Sequence, residues 1–119
     1  MKRALDRLES LQNADGGWGD SVEAYWEPSL AGKNPSMPTT TGLVLAALVR
    51  YGRGDGSIAE RGAVYLVETQ REDGTWRDGF VHGTGFPGIR LFYENLIYGH
   101  YYPLFGLGKY RRHRRSRSR

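Results

Sequence analysis

The stretch "QREDGTW", Gln70–Trp76, repeats the pattern of "QNADGGW", Gln12–Trp18. Each copy has a glutamine, three residues, a glycine, one residue and a tryptophan, and the copies lie 58 positions apart. The correspondence extends upstream in the same register: Arg3-Ala4 aligns with Arg61-Gly62, and Leu8 with Leu66. Matches at this many positions mark an internal repeat. A glutamine amide offers donors and an acceptor, so it can satisfy orphan backbone groups at a neighbouring helix end. An indole presents a flat apolar face while its N–H finds an acceptor, and glycine lets the chain turn sharply between them. Gln12, Gly16 and Trp18, and again Gln70, Gly74 and Trp76, therefore read as structural clamps tying one helix to the next. The plainer alternative for a single copy is a helix-ending turn with a core tryptophan.

Each copy begins as a helix. Leu5, Leu8 and Leu11 fall at helical spacing before the first clamp. Before the second, Ser57 with Glu60 three residues on predicts a capping box, and Ile58, Tyr65, Leu66 and Thr69 give a stripe. Between the copies, Leu43 to Val49 is unbroken apolar and predicts a helix buried on more than one side, started near Pro38 and stopped by Gly52 to Gly56. Helix, turn, buried helix and helix again suggest an all-α fold, a partial α/α barrel or toroid in which inner and outer helices alternate.

Composition narrows the reading. The 119 residues carry a net charge of +4, but Arg111–Arg119, "RRHRRSRSR", holds six arginines, and without it 11 basic residues face 13 acidic ones. The positive charge belongs to the tail, so a nucleic-acid footprint over the whole domain is not supported. The tail, residues 111–119, is expected to be disordered and solvated, with anionic lipid headgroups or RNA phosphates as possible contacts. The chain has no cysteine, which excludes disulfides and thiolate metal sites. It has no apolar run of about 18 residues to span a bilayer, and no secretory signal is read at Met1-Lys2-Arg3. His82, His100 and His113 lack metal-ligand spacing, and no metal or organic cofactor is expected. Asp15, Asp20 and Asp73 read as turn formers, and the "RGD" at Arg53–Asp55 as an interhelical loop of no further meaning.

After the second clamp the style changes. "GTGFPG", Gly83–Gly88, is dense in glycine and proline, and "LFYENLIYGHYYPLFGLGKY" follows. Pro103 is placed for the first turn of a last helix running to about Arg112. Phe86, Phe92, Tyr93, Tyr98, Tyr101, Tyr102 and Phe105 are numerous enough to line a cavity, although any one of them reads first as core.

With these motifs on the page, the chain resembles the triterpene cyclases with QW repeats, and among them the squalene–hopene cyclase family. "RGAVYLVETQREDGTW" is similar to the QW repeat itself. "GTGFPG" with its aromatic run and "YYPLFGLGKY" resemble the C-terminal end, and "YWEPSLAGKNPSMPTTTGLVLAAL" resembles the segment between the last two repeats. The resemblance covers Arg3 to about Tyr110, so residues 1–110 form the expected domain, the C-terminal part of a cyclase α/α barrel. Arg7, Leu43 and Asn95 depart from the family's aromatic pattern, and the acidic Asp-x-Asp-Asp motif is absent from this sequence.

The resemblance implies a whole enzyme that protonates squalene and folds it into hopene or hopanol without metal or cofactor. An aspartic acid held neutral gives the proton, and aromatic faces stabilise the cations, at ~2 kcal/mol or more when desolvated. It implies cavity aromatics at Phe86 and Tyr98, with Phe92 beside them, a squalene-like apolar substrate, and an upstream part of the cyclase as partner. It also implies monotopic attachment to the cytoplasmic side of a bacterial membrane. This chain then supplies cavity wall and clamps but no catalytic acid, and is expected to be inactive alone. The competing readings are a noncatalytic α/α toroid that binds an apolar ligand or protein partner, and part of another triterpene cyclase such as an oxidosqualene cyclase.

Overall fold

The computed structural model describes residues 2–19, 29, 35–76, 82–83, 92–93 and 96–117, with side-chain surroundings described for 2–19, 29, 35–76 and 101–116. Among these residues four helices carry the fold: α1 Lys2–Ser10, α2 Pro38–Arg50, α3 Ser57–Thr69 and α4 Leu96–Arg117. Two-residue strands β1 His82–Gly83 and β2 Phe92–Tyr93 pair antiparallel, His82 opposite Tyr93 and Gly83 opposite Phe92. The expected all-α class stands, with this short ladder as an addition the helical pattern does not show.

The core is made by the faces that the apolar spacing marks. Leu5 of α1, Val44, Leu45 and Leu48 of α2, and Ala59, Ala63, Tyr65 and Leu66 of α3 close around Trp18. Leu45, Leu48 and Leu66 are fully buried, and cutting one such leucine to alanine costs ~2–5 kcal/mol. The apolar run in α2 is less deeply set than expected: Leu43 is 44% exposed. Thr69 is exposed and caps its own helix, its hydroxyl donating to the Tyr65 carbonyl at 2.7 Å.

Helix α2 packs most extensively on α4, and glycines set that approach. A β-carbon at Gly42 would stand 2.2 Å from the Tyr102 carbonyl oxygen, and one at Gly106 would stand 2.3 Å from the Gly42 carbonyl oxygen. The two backbones therefore touch.

Three local expectations change. Gly56, not Ser57, is the N-cap of α3, and no side chain caps it. Ser57 is already the first helical residue, so the Ser57–Glu60 box does not form. Helix α4 starts at Leu96, leaving Pro103 inside it and fully buried. Pro103 has no N–H for the Gly99 carbonyl, a loss that the contact with α2 offsets. Finally, α4 continues to Arg117 where a disordered tail was expected from residue 111. Arginine is a good helix former, and cations near a helix C-terminus oppose its dipole favourably. His113 also anchors this end: its Nε2 lies 2.7 Å from Asp55 Oδ1.

Candidate functional site

The two clamps are built by the same bonds. In the first turn the Gln12 amide donates to the Gly16 carbonyl at 2.9 Å; in the second, Gln70 donates to Gly74 at 2.8 Å. The Asn13 N–H meets the Gly17 carbonyl and the Arg71 N–H meets that of Thr75, both at 2.8 Å. Asp15 accepts from the Gly17 N–H, and Asp73 from the Thr75 N–H, both at 3.0 Å. Gly16 and Gly74 take φ of 92° and 86°, the left-handed region that a β-carbon opposes. The turn-forming role expected of Asp15 and Asp73 is thus present, while Asp20 lies outside the described residues.

The tryptophans, not the glutamines, satisfy the helix ends. Trp18 Nε1 donates to the Leu8 carbonyl at 2.7 Å, and Trp76 Nε1 to the Leu66 carbonyl at 2.8 Å. Both acceptors belong to the last turns of α1 and α3, where carbonyls have no partner within the helix. Both tryptophans are 2% exposed; the Trp76 bond is buried and the Trp18 bond part-buried. Trp18 is fixed further by Thr41, fully buried, which accepts from its backbone N–H at 2.9 Å and stands 3.2 Å from its carbonyl.

The link between helices is made at the first clamp. Gln12 Nε2 also donates to the Ile58 carbonyl of α3 at 2.8 Å. Arg61 answers from α3, donating to Gln12 Oε1 at 3.2 Å and to the Ala14 carbonyl at 2.8 Å. Gly62 lets α3 close on the indole: a β-carbon there would meet Trp18 Cζ3 at 2.9 Å. Arg61 and Thr41 were not singled out from the sequence. The only signal for Arg61 was its alignment with Arg3; nothing in the threonine run marked Thr41.

The "RGD" loop is a structural staple. Arg53 forms ion pairs with Asp6 and Glu9 of α1, and these hydrogen bonds, Asp6 first, raise the guanidinium pKa above its ordinary value. Asp55 holds His113, whose ring would meet a β-carbon at Gly54 at 2.9 Å.

Along α4 the rings of Tyr101 and Phe105 stack with centroids 5.9 Å apart, 56% and 38% exposed. Lys109 lies 5.5 Å over Phe105. Phe105 and Tyr51 share an open groove of about 580 Å³ between α2 and α4 with three cations, Arg50, Lys109 and Arg112. Phe86 lies outside the described residues. Phe92 is placed by its strand and Tyr98 by the first turns of α4, their side chains undescribed.

A protein-family model described as the squalene-hopene cyclase C-terminal domain matches residues 1–112. The chain belongs to the squalene–hopene cyclase family. It is 44% identical over 93 residues to a squalene–hopene cyclase of Alicyclobacillus acidocaldarius, covering 78% of this chain and 15% of the relative. It is 37% identical over 126 residues to that of Bradyrhizobium diazoefficiens, covering 100% of this chain and 18% of the relative. A dammaradiene synthase of Dryopteris crassirhizoma is 33% identical over 102 residues, 82% of this chain and 15% of the relative. This cyclase domain thus spans less than a fifth of the length of these relatives. The clamps are its repeats, and the α/α barrel is the architecture to which its described helices contribute. Among the described residues no helix is long and apolar enough to cross a membrane.

Proposed function

We propose that this cyclase domain forms part of the wall of a squalene-cyclising chamber in a longer enzyme, and that its clamps hold the wall rigid. The observation that supports this best is the pair of bond-for-bond equivalent clamps in a chain that matches the family over residues 1–112. The whole enzyme protonates an alkene with a carboxylic acid kept neutral and closed off from water. The sequence has no Asp-x-Asp-Asp, so the acid comes from elsewhere in the enzyme. The cascade that follows needs a wall that stabilises cations without attacking them. In this reading Phe86, Tyr98 and Phe92 offer aromatic faces to the late cations. The substrate is squalene or a similar apolar polyene, and the products are hopene and hopanol. The enzyme lies on the cytoplasmic face of a bacterial membrane, where the basic end of α4 and the Arg50–Lys109–Arg112 groove meet anionic headgroups.

The test is a chimera. The matching segment of the Alicyclobacillus relative is replaced by this chain, and products from squalene are read by gas chromatography. The expected outcome is cyclised triterpene, with Phe86→Ala and Tyr98→Ala each shifting products toward incompletely cyclised hydrocarbon. The 119-residue chain alone should convert none. A folded chimera that leaves squalene untouched would overturn the reading. Unchanged products in both aromatic variants would return those rings to a core role.

A further inference from the structure

The groove between α2 and α4 has two walls graded alike. Gly42 lies against Gly106, and Gly54, just past the end of α2, lies against His113, so the two helices run in the same direction. On α2, Leu43, Ala46, Ala47 and Arg50 follow one another at helical spacing, and on α4 Tyr101, Phe105, Lys109 and Arg112 do the same. Residues so spaced share one face of a helix. Each wall therefore begins apolar and finishes cationic. Ala46, Ala47, Phe105, Arg50, Lys109 and Arg112 line the groove itself, while Leu43 and Tyr101 continue the two stripes as exposed side chains.

The cationic end has no compensating carboxylate. Neither α2 nor α4 contains an aspartate or a glutamate. Among the described residues no carboxylate pairs with Arg50, Lys109 or Arg112, and the nearby Asp55 is held by His113 at 2.7 Å. Arg50 lies 5.8 Å over Tyr51 and Lys109 lies 5.5 Å over Phe105, so each rests on a ring face. Covering the groove with an apolar helix would bury three charges without partners, which is costly. Its occupant must instead be negative at one end and apolar at the other. A volume of about 580 Å³ suits a small ligand.

We infer that this groove seats one lipid bearing a phosphate monoester. The phosphate sits among Arg50, Lys109 and Arg112, and a hydrocarbon chain lies over Ala46, Ala47 and Phe105 toward Leu43 and Tyr101. A monoester carries nearly two negative charges at neutral pH, and three cations match it better than they match a singly charged diester. Guanidinium groups also take phosphate oxygens in pairs. In drawing its lipid from a bilayer, the inference rests on the membrane attachment proposed above. It goes further by requiring a choice among headgroups, whereas attraction to a charged surface follows the surface charge alone.

Vesicle flotation tests it. Phosphatidylcholine vesicles carry either phosphatidic acid, a monoester, or phosphatidylglycerol, a diester, matched for surface charge, and the 119-residue chain is floated with each. It should bind the phosphatidic acid vesicles roughly tenfold more tightly, the effect of one further charge-assisted hydrogen bond. Arg50→Gln with Lys109→Gln should abolish that preference. Arg111→Gln with Arg115→Gln removes the same charge outside the groove and should keep it. All four side chains are exposed, so the core stays intact, and circular dichroism checks that each variant is folded. Calorimetric titration with a soluble short-chain phosphatidic acid separates the site from the surface. Binding there that needs Arg50 and Lys109, with none to vesicles, would uphold the site and remove the membrane reading. Equal binding to the two vesicle types would overturn the site and leave the membrane reading standing. A preference that the groove variant retains would also overturn the site. Failure to bind either vesicles or soluble lipid would overturn both.

Discussion

Replacing Gly42 by alanine tests the close approach of α2 and α4. The new β-carbon would lie 2.2 Å from the Tyr102 carbonyl oxygen, 2.5 Å from its carbonyl carbon and 2.8 Å from Pro103 Cα. All three atoms are backbone, so no side chain can swing away. Carbon–oxygen contact is comfortable at ~3.3 Å and beyond, so the helices must part by about 1 Å. Overfilling of this kind costs about 3 kcal/mol at the upper end of its usual range. Alanine returns about 1 kcal/mol as the better helix former, which leaves a net loss of about 2 kcal/mol. In guanidinium, with a slope of about 4 kcal/mol per molar, the unfolding midpoint should fall by about 0.5 M. Gly108→Ala is the control within the same helix, since its β-carbon meets nothing within 4 Å. That variant should gain stability, by up to ~1 kcal/mol. The readout is far-ultraviolet circular dichroism across a denaturant series. If Gly42→Ala matched the wild type, or Gly108→Ala lost as much, the glycine-set approach would be wrong.

Other outcomes follow from the clamps, each read as a change in unfolding free energy by the same titration. Trp18→Ala and Trp76→Ala should each cost ~3–5 kcal/mol, because each deletes a buried ring together with the donor to a helix-end carbonyl. Gln12→Ala should cost ~1–3 kcal/mol, and Gln70→Ala under ~1 kcal/mol, because Gln12 bridges to a second helix while the exposed Gln70 makes no such bridge among the described residues. Equal losses would remove the distinction between a joined clamp and an open one. Thr41→Val should cost ~1–3 kcal/mol by stranding the Trp18 N–H in a buried site, while Thr41→Ser, which keeps the oxygen, should recover most of that.

What the sequence revealed and what it hid divide along a physical line. The clamps were legible because their hydrogen bonds close within a few consecutive residues, and repetition exposed the pattern. The core leucines were legible from helical spacing. Pro103 misled because proline at a helix start is the common case; its tolerance inside α4 depends on α2, which lies far away in sequence. Gly42 and Gly106 belong to no motif, and only the crossing of two helices gives them meaning. The box at Ser57 failed because Gly56 already held the cap position. Arg53 and Asp55 looked like ordinary loop residues until α1 and α4 arrived beside them. The cavity role of Phe86, Phe92 and Tyr98 came from family resemblance and not from spacing, and remains part of the functional proposal.

The turn bonds also order events in time. Within the second turn, Gln70 reaches Gly74 across four residues and Thr75 reaches Asp73 across two. The joint from Arg61 to Ala14 spans 47. The entropy lost in closing a loop grows with its length, and short loops close within ~10–100 ns. Each turn can therefore wind and unwind many times while the helices are still apart. The lateral joint then selects among conformations already near their final shape, and the search left to the chain is for the docking of preformed units.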